Sequence, residues 1–317
     1  MNTLHHLPVQ AGFVFISIFA GLTVISLLTH FIARRYEMQP NAAVREFQTR
    51  ISSWWVMTIV LLLAFWFGEI GATLLFFAVS FAALREFMTL AYRRRSDHNV
   101  IAACFYILLP LQYYFVLTDW YGMFSALIPV YAFLGLPIIA SLSGDTGNFI
   151  ERAAKIQWGA MLSIFSLSHV PALLMLSIPG FEDRNILLLI FMIAVVQVHD
   201  VLQYLCGRIL GGRSIFPDWF THKSLRSVIV AWILSVALAA ALSFITPFSV
   251  WQGTAIGALL CTLGFCGNMV MAAIKRSFGI QTWSRLIRGH GGMLDRVDSI
   301  CFAAPIFFHI VRYYWTQ

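Results

Sequence analysis

Apolar runs of about twenty residues recur along this chain, and they restrict it to one kind of surroundings. A helix needs about 20 such residues to cross a bilayer. Inside lipid the helix is also the economical solution for the backbone, because it closes its own N–H and C=O hydrogen bonds where no water can. A soluble core could not absorb so many runs: 60% of the 317 residues are apolar and only 11% are charged, against about 25% charged in a soluble domain. The fold class is therefore all-α and polytopic. Spans are expected near 11–32, 54–67, 68–84, 101–117, 124–142, 157–178, 186–205, 227–245, 254–274 and 299–315, about ten transmembrane helices in all.

The charges support that count. When the loops are numbered alternately, only Arg184 and Arg312 of the 21 Lys and Arg fall on the side that holds both termini. The positive-inside rule makes the rich side cytoplasmic. Adding or removing one span would scramble the alternation. The net charge of +7 is then a topology signal, and no nucleic-acid partner is expected. Cys104, Cys206, Cys261, Cys266 and Cys301 lie in or beside apolar runs without metal-ligand spacing and read as small hydrophobes. The N-terminal run has no basic flank or small-residue cleavage site, so it reads as a retained helix.

Two regions are expected. Residues 1–185 hold six spans with few polar groups, read as scaffold and lipid-facing wall; dimerisation through this half is left open. Glu69 and Glu86 fall here at turn and interface positions, Glu86 within reach of Arg85 or Arg93. Residues 186–317 hold the chemistry, after about position 195. Asp200 stands near the end of the seventh span, where an acid is expensive and usually has a partner or a function. Arg208 or Arg213 would pair it at the interface; alternatively Gly207, Arg208, Gly211 and Gly212 form a phosphate-binding turn. His199 reads as a packing histidine. Asn268 is either an interhelical hydrogen-bonder or a weak metal or substrate ligand. Lys223 and Arg226 either bind phosphate or anchor their loop.

The densest polar stretch separates the last two spans: Lys275-Arg276, then Gly289-His290-Gly291-Gly292-Met293-Leu294-Asp295-Arg296-Val297-Asp298. Gly291 and Gly292 allow a sharp turn and a close approach. A helix starting just after them would set Asp295 and Asp298 on adjacent positions of one face. Paired carboxylates are costly without a cation, and hard oxygen ligands suit Mg²⁺. Lys275, Arg276, Arg285, Arg288 and Arg296 supply charge for phosphates. His290 either shapes the loop or contacts substrate.

This stretch closely resembles the motif of the phosphatidate cytidylyltransferase (CDP-diacylglycerol synthase) family: Ser-x-x-Lys-Arg, a spacer with Lys-Asp, then His-Gly-Gly-x-x-Asp-Arg-x-Asp. A second family block, Asp-x-x-x-Tyr-x-x-Gly-Arg-x-x-Gly, is matched by Asp200, Tyr204, Gly207, Arg208 and Gly211. The resemblance covers about 195–315, and the chain looks like a divergent bacterial paralogue. It implies that phosphatidate, or a related phospholipid, attacks the α-phosphorus of CTP to give CDP-diacylglycerol and pyrophosphate. It implies Mg²⁺, membrane lipids as surroundings, and an active site on the cytoplasmic side of the C-terminal half in a bacterial inner membrane. By position, Asp295, Lys275 and Asp200 would be catalytic. Asp295, Asp298 and Asn268 would hold metal, and Arg208, Lys223, Arg276, His290, Gly291, Gly292 and Arg296 would bind substrate.

The chain departs from the pattern in four places. The family's Gly-Asp is Gly267-Asn268, and its Lys-Thr-x-Glu-Gly is Lys223-Ser224-Leu225-Arg226-Ser227. Its Ser before Lys-Arg is Ala272, and its spacer Lys-Asp is Gln281-Thr282. Two acids of the implied metal site are lost, which lowers metal affinity. A weakened paralogue that binds lipid or a partner without turnover is thus the competing reading. A transporter would show polar breaks in two related halves, and a CDP-lipid-consuming phosphatidyltransferase would carry Asp-Gly-x-x-Ala-Arg; neither pattern is present.

Overall fold

A computed structural model describes residues 9–35, 42–91, 94–216, 220–286 and 291–316. Among these residues the chain forms ten helical segments: α1 Val9–Arg35, α2 Ala42–Trp66, α3 Gly68–Ala91, α4 Arg95–Leu117, α5 Tyr121–Ser141, α6 Phe149–Met175, α7 Asn185–Leu210, α8 Leu225–Ile245, α9 Val250–Ser277 and α10 Leu294–Trp315. Eight are long and apolar enough to cross a membrane, namely α1 and α3 to α9. The apolar part of α2, Ile51–Trp66, is shorter. The polar first turn of α10, with Asp295, Arg296 and Asp298, precedes its apolar run. The protein is an integral, multi-pass membrane protein.

The segments agree in order with the apolar runs, but their ends do not. α2 begins before its apolar run, because Ala42–Ser53 continues as a polar helix. α7 runs on to Leu210, so Gly207 and Arg208 are helical rather than part of a turn. The turn comes at Gly211 and Gly212, with φ of +57° and +104°, conformations that favour glycine. A short antiparallel hairpin follows, β1 Ser214–Phe216 with β2 Phe220–Ser224, in a loop for which no strand was expected. Ser224 then caps α8 by accepting from the Ser227 amide at 3.3 Å. α9 starts at a capping box: Ser249 and Gln252 exchange side-chain-to-backbone hydrogen bonds of 2.9 and 3.4 Å.

Small residues bring the C-terminal helices together. A Cβ on Gly257 would lie 2.2 Å from the Ala239 Cβ, and one on Gly253 2.7 Å from Ser243. One on Gly267 would lie 2.7 Å from the Asp298 carbonyl oxygen. Lipid supplies no hydrophobic drive between helices, so close packing over small residues does that work. α9 thus lies against both α8 and α10, and α7 packs on α8 and α9. The N-terminal half joins this group through α3 and α6, both of which pack on α10.

Candidate functional site

Four carboxylates, Glu86 of α3, Asp200 of α7 and Asp295 and Asp298 of α10, are each held differently by donors from α9, α10 and the stretch between them. Asp295, in the first turn of α10, accepts from Lys275 Nζ at 2.8 Å through Oδ1. Its Oδ2 accepts from the backbone amides of Trp283 at 3.0 Å and Gly292 at 2.9 Å. Lys275 stands in the last turn of α9, where a cation suits the helix dipole. The pair is mostly shielded, its side chains 16% and 8% exposed. Gly291 sits at φ +87°, and a Cβ there would meet Asp295 Oδ2 at 2.6 Å. The glycines therefore do what their lack of Cβ suggested, but the group they admit closely is a carboxylate of the same chain.

Asp200 projects from α7 between α9 and α10. Its Oδ1 accepts from Asn268 Nδ2 and its Oδ2 from Ser299 Oγ, both at 2.6 Å. Ser299 also gives its amide to Asp298 Oδ1 at 2.9 Å, so two carboxylates bracket one serine. Arg208 and Arg213 are not the neighbours that hold Asp200: Arg208 is exposed and donates to Tyr204 OH at 3.3 Å. A single α-helical turn separates Asp295 from Asp298, as expected from the start of α10 at Leu294. Their partners differ nonetheless, one facing Lys275 and the other Ser299.

Lys223, in β2, is hydrogen-bonded to Gln203 Oε1. Gln203 Nε2 in turn lies 2.7 Å from His199 Nε2, and His199 Nδ1 lies 3.0 Å from Ser235 Oγ, which donates to the Ala231 carbonyl at 2.7 Å. An ammonium can only donate, so the whole chain acquires a direction. Gln203 must accept with its oxygen and donate to His199 Nε2, which leaves Nδ1–H to donate to Ser235. His199 is thus a packing histidine with both nitrogens used. Burial holds Lys223 below the usual lysine range, opposed by the nearby charges of Asp200 and Asp298.

The acid the sequence reading undervalued is Glu86, near the end of α3 and 4% exposed. Its Oε1 accepts from Ser284 Oγ at 2.6 Å and the Met293 amide at 2.8 Å, and its Oε2 from the Leu294 amide at 2.9 Å. It therefore caps α10 from another helix; Arg93, one of the partners expected for it, lies outside the described residues. The neighbouring Phe87 stacks on Trp283, with centroids 5.4 Å apart and planes at 27°. The signal was present: a carboxylate four-fifths of the way along an apolar helix needs a partner. Nothing in its own segment pointed to one some 200 positions away.

The remaining predicted residues are spread. Arg296 is half-buried in the first turn of α10, and its carbonyl accepts from Gln197 Nε2 at 3.3 Å. Arg276 and Arg226 are exposed. Gly292 is buried, and a Cβ on it would meet Glu86 Oε2 at 2.5 Å. His290 lies outside the described residues.

The donor set can be tested for Mg²⁺. Among the described residues no three His, Cys, Asp or Glu side chains form a ligand group. Mg²⁺ does not need one, since it commonly binds through one or two carboxylates with waters and substrate phosphates. Asp200 and Asp298 fit that pattern: each oxygen of Asp200 holds one hydrogen bond and retains a second lone pair. Asn268 spends its amide nitrogen on Asp200, which leaves its carbonyl oxygen as a neutral ligand. Asp295 fits less well, with both oxygens already engaged by Lys275 and two amides.

Residues 48–314 match the Cytidylyltransferase family. A protein of Escherichia coli (strain K12) named YnbB, described as uncharacterized, is 34% identical over 300 residues, covering 94% of this chain and 97% of its own. A phosphatidate cytidylyltransferase of Brucella abortus biovar 1 (strain 9-941) is 28% identical over 268 residues, covering 82% and 92%. One from Aquifex aeolicus (strain VF5) is 28% identical over 188 residues, covering 59% and 71%. With its family match spanning the carboxylate-bearing helices and most of the scaffold, this chain belongs to the cytidylyltransferase family.

Proposed function

We propose that this protein is a phosphatidate cytidylyltransferase of the bacterial inner membrane, working on its cytoplasmic side. It joins CTP and phosphatidate, or a closely related phospholipid, to give CDP-diacylglycerol and pyrophosphate. The observation that carries this reading is the meeting of Asp200, Asp298 and Asn268 from three helices, with the Lys275–Asp295 pair one helical turn away. An oxygen of the phosphatidate headgroup attacks the α-phosphorus of CTP. A bond forms between them as the bond from that phosphorus to the bridging oxygen breaks, and pyrophosphate carries the electron pair away. Asp200 and Asp298, with the Asn268 carbonyl, would hold Mg²⁺, which when bound screens the phosphate charges of both anionic substrates. Lys275, Lys223 and Arg296 would bind phosphates, where fixed cations stabilise charge that develops on the leaving group. Arg208 and Arg276, exposed at the ends of their helices, suit the headgroup at the membrane surface.

Labelled CTP with phosphatidate and Mg²⁺ in detergent tests the reading directly. CDP-lipid formed by the wild type and lost in Asp200→Ala supports it. A second reading, a paralogue that binds lipid without turnover, rests on Asn268 and Arg226, which stand where the family pattern has acids. Folded protein that binds phosphatidate vesicles and makes no CDP-lipid would favour it.

A further inference from the structure

We infer that Glu86 is a positioning residue: its carboxylate latches the Gly291–Asp295 turn onto the scaffold half and so aims Asp295 at Lys275. The donors it binds stand on both sides of positions 287–290. Ser284 lies before them, and Met293 and Leu294 lie after. Two of the three are amides at the start of α10, where a helix has unpaired N–H groups and a partial positive charge. The third ties the strand of chain that also gives the Trp283 amide to Asp295. Phe87, one residue along α3, holds the same strand by stacking on Trp283. Glu86 and Asp295 together use the amides of Trp283, Gly292, Met293 and Leu294. The glycine turn is therefore a cradle for two carboxylates of the chain itself, and substrate phosphates are left to the lysines and arginines. The space is cut to the carboxylate, since a Cβ on Gly292 would lie 2.5–2.9 Å from its atoms.

A glutamine cannot replace this acid. Glu86 accepts at both oxygens, and an amide would turn its NH₂ toward one of the donors. The effect on catalysis rests on the cytidylyltransferase reading, but the latch does not, and the two are measured separately. Glu86→Ala and Glu86→Gln would be purified in detergent and checked for monodispersity and melting. Tryptic cleavage after Arg285 would then be timed, and CDP-lipid formation measured beside it. Both variants should be cut at least several-fold faster than wild type. They should lose about 10–100-fold in kcat with little change in KM for CTP, the scale expected when a reacting group is displaced by an ångström or so. Acetate should restore protection and turnover to Glu86→Ala, while chloride at the same ionic strength should not; a general loss of stability would not respond to that difference. Wild-type cleavage in both variants, or equal effects of acetate and chloride, would overturn the latch. If Glu86→Ala does not fold, cleavage of Glu86→Gln decides. If the wild type makes no CDP-lipid, the enzymatic reading falls and the cleavage arm still judges the latch.

Discussion

Asn268 shows how one side chain can change what a cluster of acids requires. Its amide donates to Asp200 at 2.6 Å, where a second carboxylate would have nothing to donate. An aspartate there would put two carboxylates in contact, and leaving a buried charge uncompensated costs about 3–5 kcal/mol. Asn268→Asp should therefore melt well below wild type in EDTA and gain more from millimolar Mg²⁺ than wild type does. Equal Mg²⁺ responses in the two proteins would remove Asn268 from the cation site. Lys275 and Asp295 give a second prediction. Lys275→Met leaves Asp295 with its two amide donors but no counter-charge, and turnover should fall at least about 100-fold, the effect of losing an electrostatic stabiliser. Asp295→Ala should fall as far and also lose order at the turn, because the Trp283 and Gly292 amides lose their acceptor. Trypsin sensitivity after Arg285 would separate the two.

The helices are set by contacts that leave no room. Gly257→Ala would force a methyl to within 2.2 Å of the Ala239 Cβ. Helices α8 and α9 must then part, at the cost of about 1–3 kcal/mol usual for overpacking. A lowered melting temperature with retained secondary structure is the expected result. At the N-terminal ends of α4 and α6 a polar clamp does similar work. Arg152 bonds the buried Asp97 at 2.9 Å and Asp145 at 2.9 Å, and Arg94 reaches Asp145 at 2.7 Å. The Arg94 hydrogen bond, then Ser96 and the Gly147 amide, hold the Asp145 carboxyl well below the usual carboxylate range. A depressed acid contributes stability that is complete above its unfolded value of about 3.9 and fades as pH falls toward the folded one. Asp145→Asn should thus melt lower than wild type at pH 7, with the gap closing only below about pH 4. A gap that is constant with pH would exclude the charge as its cause.

Across the whole molecule, the charge alternation and the apolar runs imply an orientation that can be read from outside. Of the native cysteines Cys266 is half-buried and the other four are buried, so a membrane-impermeant thiol reagent should meet little background. A cysteine replacing Arg184 should label in intact cells, and one replacing Arg276 only in inverted vesicles. The reverse pattern would turn the protein over and place the carboxylate cluster away from CTP. The scaffold half is also more than a wall, since α3 contributes both Glu86 and Phe87 to the site. That contribution was hidden because it links helices far apart in the chain, and a periodicity argument sees only neighbours. Eight of the expected spans were legible because a bilayer demands length and apolarity from each segment by itself.

By itself the sequence determined an all-helical membrane chain, the order of its helical segments, and the stretch in which Lys275, the paired glycines, Asp295 and Asp298 converge. Each of these follows from local physics: backbone satisfaction in lipid, charge beside a membrane, and conformations open only to glycine. Only the tertiary structure decided which carboxylate meets which donor. It paired Asp200 with Asn268 and Ser299, gave the glycine turn to Asp295 and Glu86, and left Arg208 at the surface. Those choices depend on how closely helices approach over Gly257 and Gly267, a property of packed pairs that no single segment carries.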